Sequence, residues 1–158
     1  GFVLAGDWQE LYDEIRFFRE AAGDARLKTI LGTGNLVSFS NVARASLVAM
    51  MAGADFIKTS TGKEGINANL PVSLVMLRAI REFHQRTGTM VGFKPAGGIR
   101  AARDAISYLI LMREELGFPW LNAHYFRIGA SGLLGDISRQ LEHYLSGRYS
   151  ASHRHPMG

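Results

Sequence analysis

Apolar residues along this chain fall into two alternating rhythms: a spacing of three or four, and short continuous runs. Leu11, Ile15, Phe18 and Ala22 recur one helical turn apart, with Asp7 placed to cap the start and Gly23 to end it. A helix is therefore predicted over residues 8–22. A short strand follows at 26–31, within ARLKTILGTG, closed by glycines. SFSNVARASLVAMMAG then predicts a helix, capped by Ser40 or Asn41 and ended at Gly53. The second strand is ADFIKTS, residues 54–60. PVSLVMLRAIREFHQRTG reads as an amphipathic helix with Pro71 in its first turn and Gly88 past its end. MVGFKPAGG is the third predicted strand, AARDAISYLILMREELG a helix, HYFRIGASG the fourth strand and LLGDISRQLEHYLSG the last helix. Residues 1–148 form the folded unit in this reading, and the polar residues 149–158 a flexible tail.

One helix followed by four strand–helix units implies an α/β fold, a parallel sheet covered by helices. An open doubly wound sheet and part of a (β/α)₈ barrel both fit. A full barrel needs roughly 250 residues, and the chain has 158. The opening GFVLAGDWQE has no initiator Met and is apolar from its second residue, as expected of a sequence entered in mid-fold.

Composition narrows the chemistry. No apolar run is long enough to suggest a transmembrane helix, and no basic-then-apolar leader is present. Cysteine is absent, which excludes disulfides and thiolate catalysis and fits a cytoplasmic setting. The net charge of +4 is spread along the chain with no basic block outside the tail. That favours a small anionic substrate over nucleic acid.

All four predicted strands end in polar or glycine-rich sequence: GTGN, KTSTGK, KPAGG and GASG. Ligands of parallel α/β folds sit at those carboxyl ends. Lys58 and Lys94 occupy comparable depths on neighbouring strands. If they share a face, burial and like charge both push a lysine down from its reference value of about 10.4. A neutral lysine attacks carbonyls and forms Schiff bases. The competing reading is that each lysine reaches solvent or meets a carboxylate. Gly97-Gly98 and Gly129-Ala130-Ser131-Gly132 each lead into a helix, as in phosphate sites, although turn glycines alone would look the same. Other polar residues read as structural. His84, Asp104, Glu114 and Glu115 are expected on solvated helix faces, Trp8 and Trp120 in packing. His124 and His143 show no metal-ligand spacing, and His153 and His155 lie in the tail.

ADFIKTSTGK and GFKPAGGIR, followed by FRIGAS and a GRY tail, closely resemble the C-terminal half of the deoxyribose-phosphate aldolases, in their animal-type branch. The resemblance implies strands 5 to 8 of a (β/α)₈ barrel and a Schiff-base reaction with no metal and no cofactor. That reaction cleaves 2-deoxyribose 5-phosphate to glyceraldehyde 3-phosphate and acetaldehyde. It implies Lys58 as the Schiff-base lysine and Lys94 as the second lysine that lowers its pKa. Thr61 and Lys63 would meet the sugar hydroxyls. Gly62, Gly97, Gly98, Gly129 and Ser131 would surround the phosphate. The family's proton-relay aspartate would lie before residue 1, and the bacterial-type C-terminal tyrosine is absent. Gly132 replaces a usual Ser or Thr, Asn35 a Glu, and Gly65-Ile66 a more polar pair. A half-barrel would expose an apolar face, so self-association or a missing N-terminal half is expected to cover it. The alternative is a non-catalytic half-barrel that binds a sugar phosphate or a protein.

Overall fold

The computed structural model describes residues 1–151 and 154; His153 and His155 lie outside the described residues. A short helix α1 (Phe2–Ala5), which the sequence pattern did not predict, leads into α2 (Trp8–Ala22). Then come β1 (Lys28–Ile30), a 3₁₀ turn at Thr33–Asn35, α3 (Phe39–Met51), β2 (Phe56–Lys58), α4 (Leu70–Thr87) and β3 (Gly92–Lys94). α5 (Ala102–Leu116), a 3₁₀ turn at Phe118–Trp120 and α6 (Leu133–Ser146) complete the order.

The caps explain the helix starts. The Asp7 carboxylate accepts from Glu10 N–H, and Asn69 accepts from Val72 N–H. α3 begins two residues earlier than expected because Ser38, in extended conformation, offers its hydroxyl to Asn41 N–H. Asn41 itself donates to the Leu36 carbonyl. Val37, just before, holds φ +67°, a costly conformation for a β-branched residue.

β1, β2 and β3 form a parallel sheet in that order. Lys28 faces Phe56, and Phe56 faces Gly92; two residues on, Ile30 faces Lys58 and Lys58 faces Lys94. Side chains alternate between faces, so Ile57 and Phe93 point the other way. Both are fully buried in the core with Ala49, Met76, Leu77, Ile80 and Met112 of the covering helices. A smaller cluster of Ile99, Ala105, Tyr108 and Leu133 packs α5 to α6. Asp55 fixes the strand entry: it accepts from Arg19 and from Leu27 N–H, both at 2.7 Å. None of the described helices is long and apolar enough to cross a membrane.

The fourth predicted strand does not form. Two isolated parallel bridges, Phe93–Phe126 and Ala96–Gly129, take its place. The hydrogen bonds give the reason. Phe93 N–H donates to Tyr125 O, Arg127 N–H to Phe93 O, Gly129 N–H to Pro95 O and Gly97 N–H to Gly129 O. The rung missing from this ladder is the one Pro95 would donate, and proline has no N–H.

Two side chains read as solvated are not. His84 lies half-buried with its ring edge 5.0 Å from the Trp120 ring centre. Glu115 is largely buried and pairs with Arg81 at 2.7 Å and Arg78 at 3.4 Å. Trp120 packs as expected and donates to Val91 O.

Gly92 is a packing requirement, since a Cβ there would collide with the Phe56 ring, which is 1% exposed and cannot swing clear. Gly92→Ala is expected to lower unfolding stability by about 1–3 kcal/mol. Urea denaturation reads this directly; an unchanged midpoint would mean that the ring is free to move.

Candidate active site

The strand register brings the two sequence-predicted lysines together. Lys58 and Lys94 are Cα partners on β2 and β3 and share the face opposite the helices. Both are half-buried. Gly129 makes room for one of them, since a Cβ there would lie 2.6 Å from Ala96 Cβ and 3.2 Å from Lys94 Cε. Burial lowers Lys94 below its ordinary value of 10.5, and the charges of Lys58 and Arg127 lower it further.

Two more cations stand on the same face, and sequence reading missed both. Lys28 precedes Ile30 by two residues and Arg127 precedes Gly129 by two, so alternation from the known positions would have found them. Lys28 is lowered by burial first, then by Lys94, Arg127 and Lys58. Its Nζ lies 5.5 Å from the Phe56 ring centre, and the Arg127 guanidinium carbon 4.9 Å from the same ring. Among the described residues, none of these four cations has a carboxylate within ion-pair distance.

The loops above the lysines are tied by buried hydroxyls. Thr59 Oγ1 accepts from Ala96 N–H at 2.9 Å and donates to Ala96 O at 3.1 Å. Ser60 Oγ donates to the same carbonyl at 2.7 Å, and Ala68 N–H adds a third donor at 3.2 Å. Asn67 braces the β2–α4 loop by donating to Glu64 O. It also explains Gly97, where φ is +91° and a Cβ would lie 2.6 Å from Asn67 Cβ.

The remaining predicted residues lie on exposed loop. Thr61, Gly62 and Lys63 form a turn around Glu64, whose carboxylate accepts from Thr61 N–H, Thr61 Oγ1 and Gly62 N–H at 3.0–3.3 Å. Thr61 N–H is the main reason the Glu64 carboxyl sits below its ordinary value. Gly98 is exposed with φ +83°. The helix it precedes has occupied amides: Ala101 N–H donates to Asp104, and Ala102 N–H to Asp136 at 2.7 Å. α6, after Gly129 and the exposed Ser131, starts with no side-chain cap. The two glycine loops therefore differ: among the described residues, the second helix start has no side-chain cap.

A groove of about 620 Å³ lies elsewhere, between the starts of α3 and α4, lined by Thr33, Val37, Phe39, Ile66 and Pro71. It holds none of the four cations.

Comparison with known proteins agrees with the motifs. The model of the DeoC/LacD family aldolases matches residues 2–118. The deoxyribose-phosphate aldolase of Homo sapiens is 61% identical over 155 residues, 98% of this chain and 49% of the relative. That of Mus musculus is 62% identical over the same shares. The chain thus spans about half the length of the curated relatives it matches. Among solved structures, one from Toxoplasma gondii ME49, provisionally named a deoxyribose-phosphate aldolase, superposes with TM-score 0.78 at 22% identity. It covers 95% of this chain and 57% of that one. QR15, an aldolase, superposes with TM-score 0.60 at 25% identity, over 89% and 56%.

The lowered Lys28 has a measurable consequence. Between its folded value and the unfolded 10.5, the unfolded chain binds more protons, so this residue's contribution to stability rises with pH across that window. Lys28→Met is expected to be more stable than wild type at pH 7, with the advantage shrinking towards pH 10.5. Urea midpoints at several pH values test this. A gap independent of pH would show that neither burial nor the neighbouring cations lower Lys28.

Proposed function

The chain belongs to the DeoC/LacD family of aldolases, and from that premise we propose that it carries the Schiff-base machinery of a deoxyribose-phosphate aldolase, as the C-terminal half of a (β/α)₈ barrel. One observation carries the reading: Lys58 and Lys94 stand in register on one sheet face and, among the described residues, no carboxylate lies within ion-pair distance of either. Lys58 is the nucleophile. It attacks the aldehyde carbon of 2-deoxyribose 5-phosphate, and loss of water gives the imine. Protonated, the imine draws the electrons of the C2–C3 bond as the C3 hydroxyl gives up its proton. Glyceraldehyde 3-phosphate leaves, and an acetaldehyde enamine stays on Lys58. Protonation at C2 and hydrolysis release acetaldehyde and restore the amine. Lys94, with its proton loosened by burial and by its cationic neighbours, is suited to pass that proton. The uncapped start of α6 beside Ser131 is suited to the phosphate, and Thr61 and Lys63 to the hydroxyls.

In this reading the substrate is a phosphosugar of deoxyribonucleoside breakdown, met in the cytoplasm. The sheet face that carries the lysines is completed by an N-terminal half or by a second copy. A relay carboxylate comes from that completing element. Without such a group a general acid–base step typically slows by 10² to 10⁴, so the 158-residue chain alone forms the imine and turns over slowly. The other reading, a sugar-phosphate or protein-binding half-barrel, uses the same loops without the covalent step.

Intact mass after acetaldehyde and borohydride separates the two. A reduced two-carbon adduct is expected on wild type and not on Lys58→Ala, with Lys94→Met forming it more slowly. A folded wild type that stays unmodified would leave only the binding reading.

A further inference from the structure

The groove between the starts of α3 and α4 lies on the helix side of the sheet, away from the lysines. Its lining comes from residues 33–42 and 66–72, two consecutive strand–helix units whose strands β1 and β2 pair directly. Both walls are therefore in place, whatever completes the lysine face. Val42 and Val72, both buried, form its floor, and Val37, Phe39, Ile66 and Pro71 its sides. Its volume of about 620 Å³ is that of a small-molecule pocket.

Three of the side residues stand open to solvent: Val37 is 87% exposed, Ile66 61% and Phe39 56%. Exposed apolar residues gathered around a groove mark a binding surface. Val37 keeps its place at the rim in spite of φ +67°, and backbone strain of this kind gathers at ligand clamps. One buried polar group in the lining is unspent. Thr33 is 5% exposed; its N–H donates to Thr59 O and its carbonyl accepts from Leu36 N–H. Its hydroxyl has no hydrogen-bond partner among the described residues, whereas the buried hydroxyls of Thr59 and Ser60 are engaged. A buried hydroxyl left unmatched is costly, and a ligand in the groove can match it. None of the described residues lining the groove is charged, so an ion entering it would lose hydration without a counter-charge.

We propose that this groove binds an uncharged, ring-sized apolar molecule carrying one hydroxyl or carbonyl, which bonds to the Thr33 hydroxyl. The site is separate from that of the phosphosugar: the glycine loops and the four cations receive charge, and this groove rejects it. An occupant spans the β1–α3 turn and the β2–α4 loop, which close on each other where a Cβ on Gly34 would collide with Ile66 O.

2-Naphthol, uncharged near neutral pH, is the probe, titrated into the whole chain with amide shifts followed by NMR. It has no carbonyl, so imine formation plays no part. Saturable shifts centred on Thr33, Gly34, Phe39 and Ile66 are expected. Thr33→Val keeps the shape and removes the hydroxyl, and should weaken binding about three- to tenfold. Phe39→Ser should weaken it about fivefold or more, and Ile110→Ser, at an exposed position of α5, should leave it intact. Naphthalene-2-sulfonate, the charged analogue, should bind at least about tenfold more weakly. Equal affinity for the two probes, shifts spread over exposed Ile106, Ile110 and Leu145 as well, or unchanged affinity in a folded Thr33→Val would overturn the proposal. The comparison of the two probes on wild type decides it even if a variant fails to fold.

Discussion

The Thr59 hydroxyl bridges two segments where the sheet runs out, accepting from the Ala96 amide and donating to the Ala96 carbonyl while fully buried. β2 has only three residues and lies between β1 and β3, so its own ladder supplies few rungs to fix the register. A slip of one residue would turn Lys58 into the core and Ile57 out of it. The Thr59 clamp, extended by Ser60 and by the Thr33 N–H bond to Thr59 O, holds the register at the end where the chemistry sits. The lysine row on β2 and β3 is thus a product of backbone registry, secured by a buried hydroxyl.

Charge is distributed unevenly over the molecule. Towards the helices, cations meet carboxylates: Arg19 with Asp55, Arg78 and Arg81 with Glu115. On the opposite face four cations gather with no carboxylate in ion-pair distance among the described residues. Such an arrangement destabilises the isolated fold, and it persists where a function requires it. It also bears on what completes this face. A second copy laid against it would bring more cations, whereas a carboxylate-bearing element or a bound anion would relieve the repulsion.

Much of this was legible in the residues. Helical spacing and the caps at Asp7, Gly23 and Gly88 located α2 and α4, and the KTSTGK and KPAGG endings marked the lysines. What escaped has physical reasons. The segment 124–132 has the apolar content of a strand, but pairing depends on its neighbour, and Pro95 removes the donor that would have joined its two bridges. Glu115 looks solvated on its own helix; it is the arginines of α4 that bury it. Lys28 sits in a run that reads simply as strand, and only the register with Phe56 shows which face it occupies.

The anion loops show how far local sequence carries. Gly97-Gly98 and Gly129–Gly132 look equivalent, each glycine-rich and each followed by a helix. In the fold, the start of α5 is already answered by Asp104 and by Asp136 from α6, and the Thr61–Gly62 amides by Glu64. A carboxylate that fills an amide nest must be displaced before a ligand can use it, and the Thr61 amide holds the Glu64 carboxyl below its ordinary value. Among the described residues, the start of α6 has no side-chain cap. The same Asp136 that closes one helix terminus sits in the first turn of the other, so a single side chain ties α5 to α6 and sets the asymmetry between the two loops.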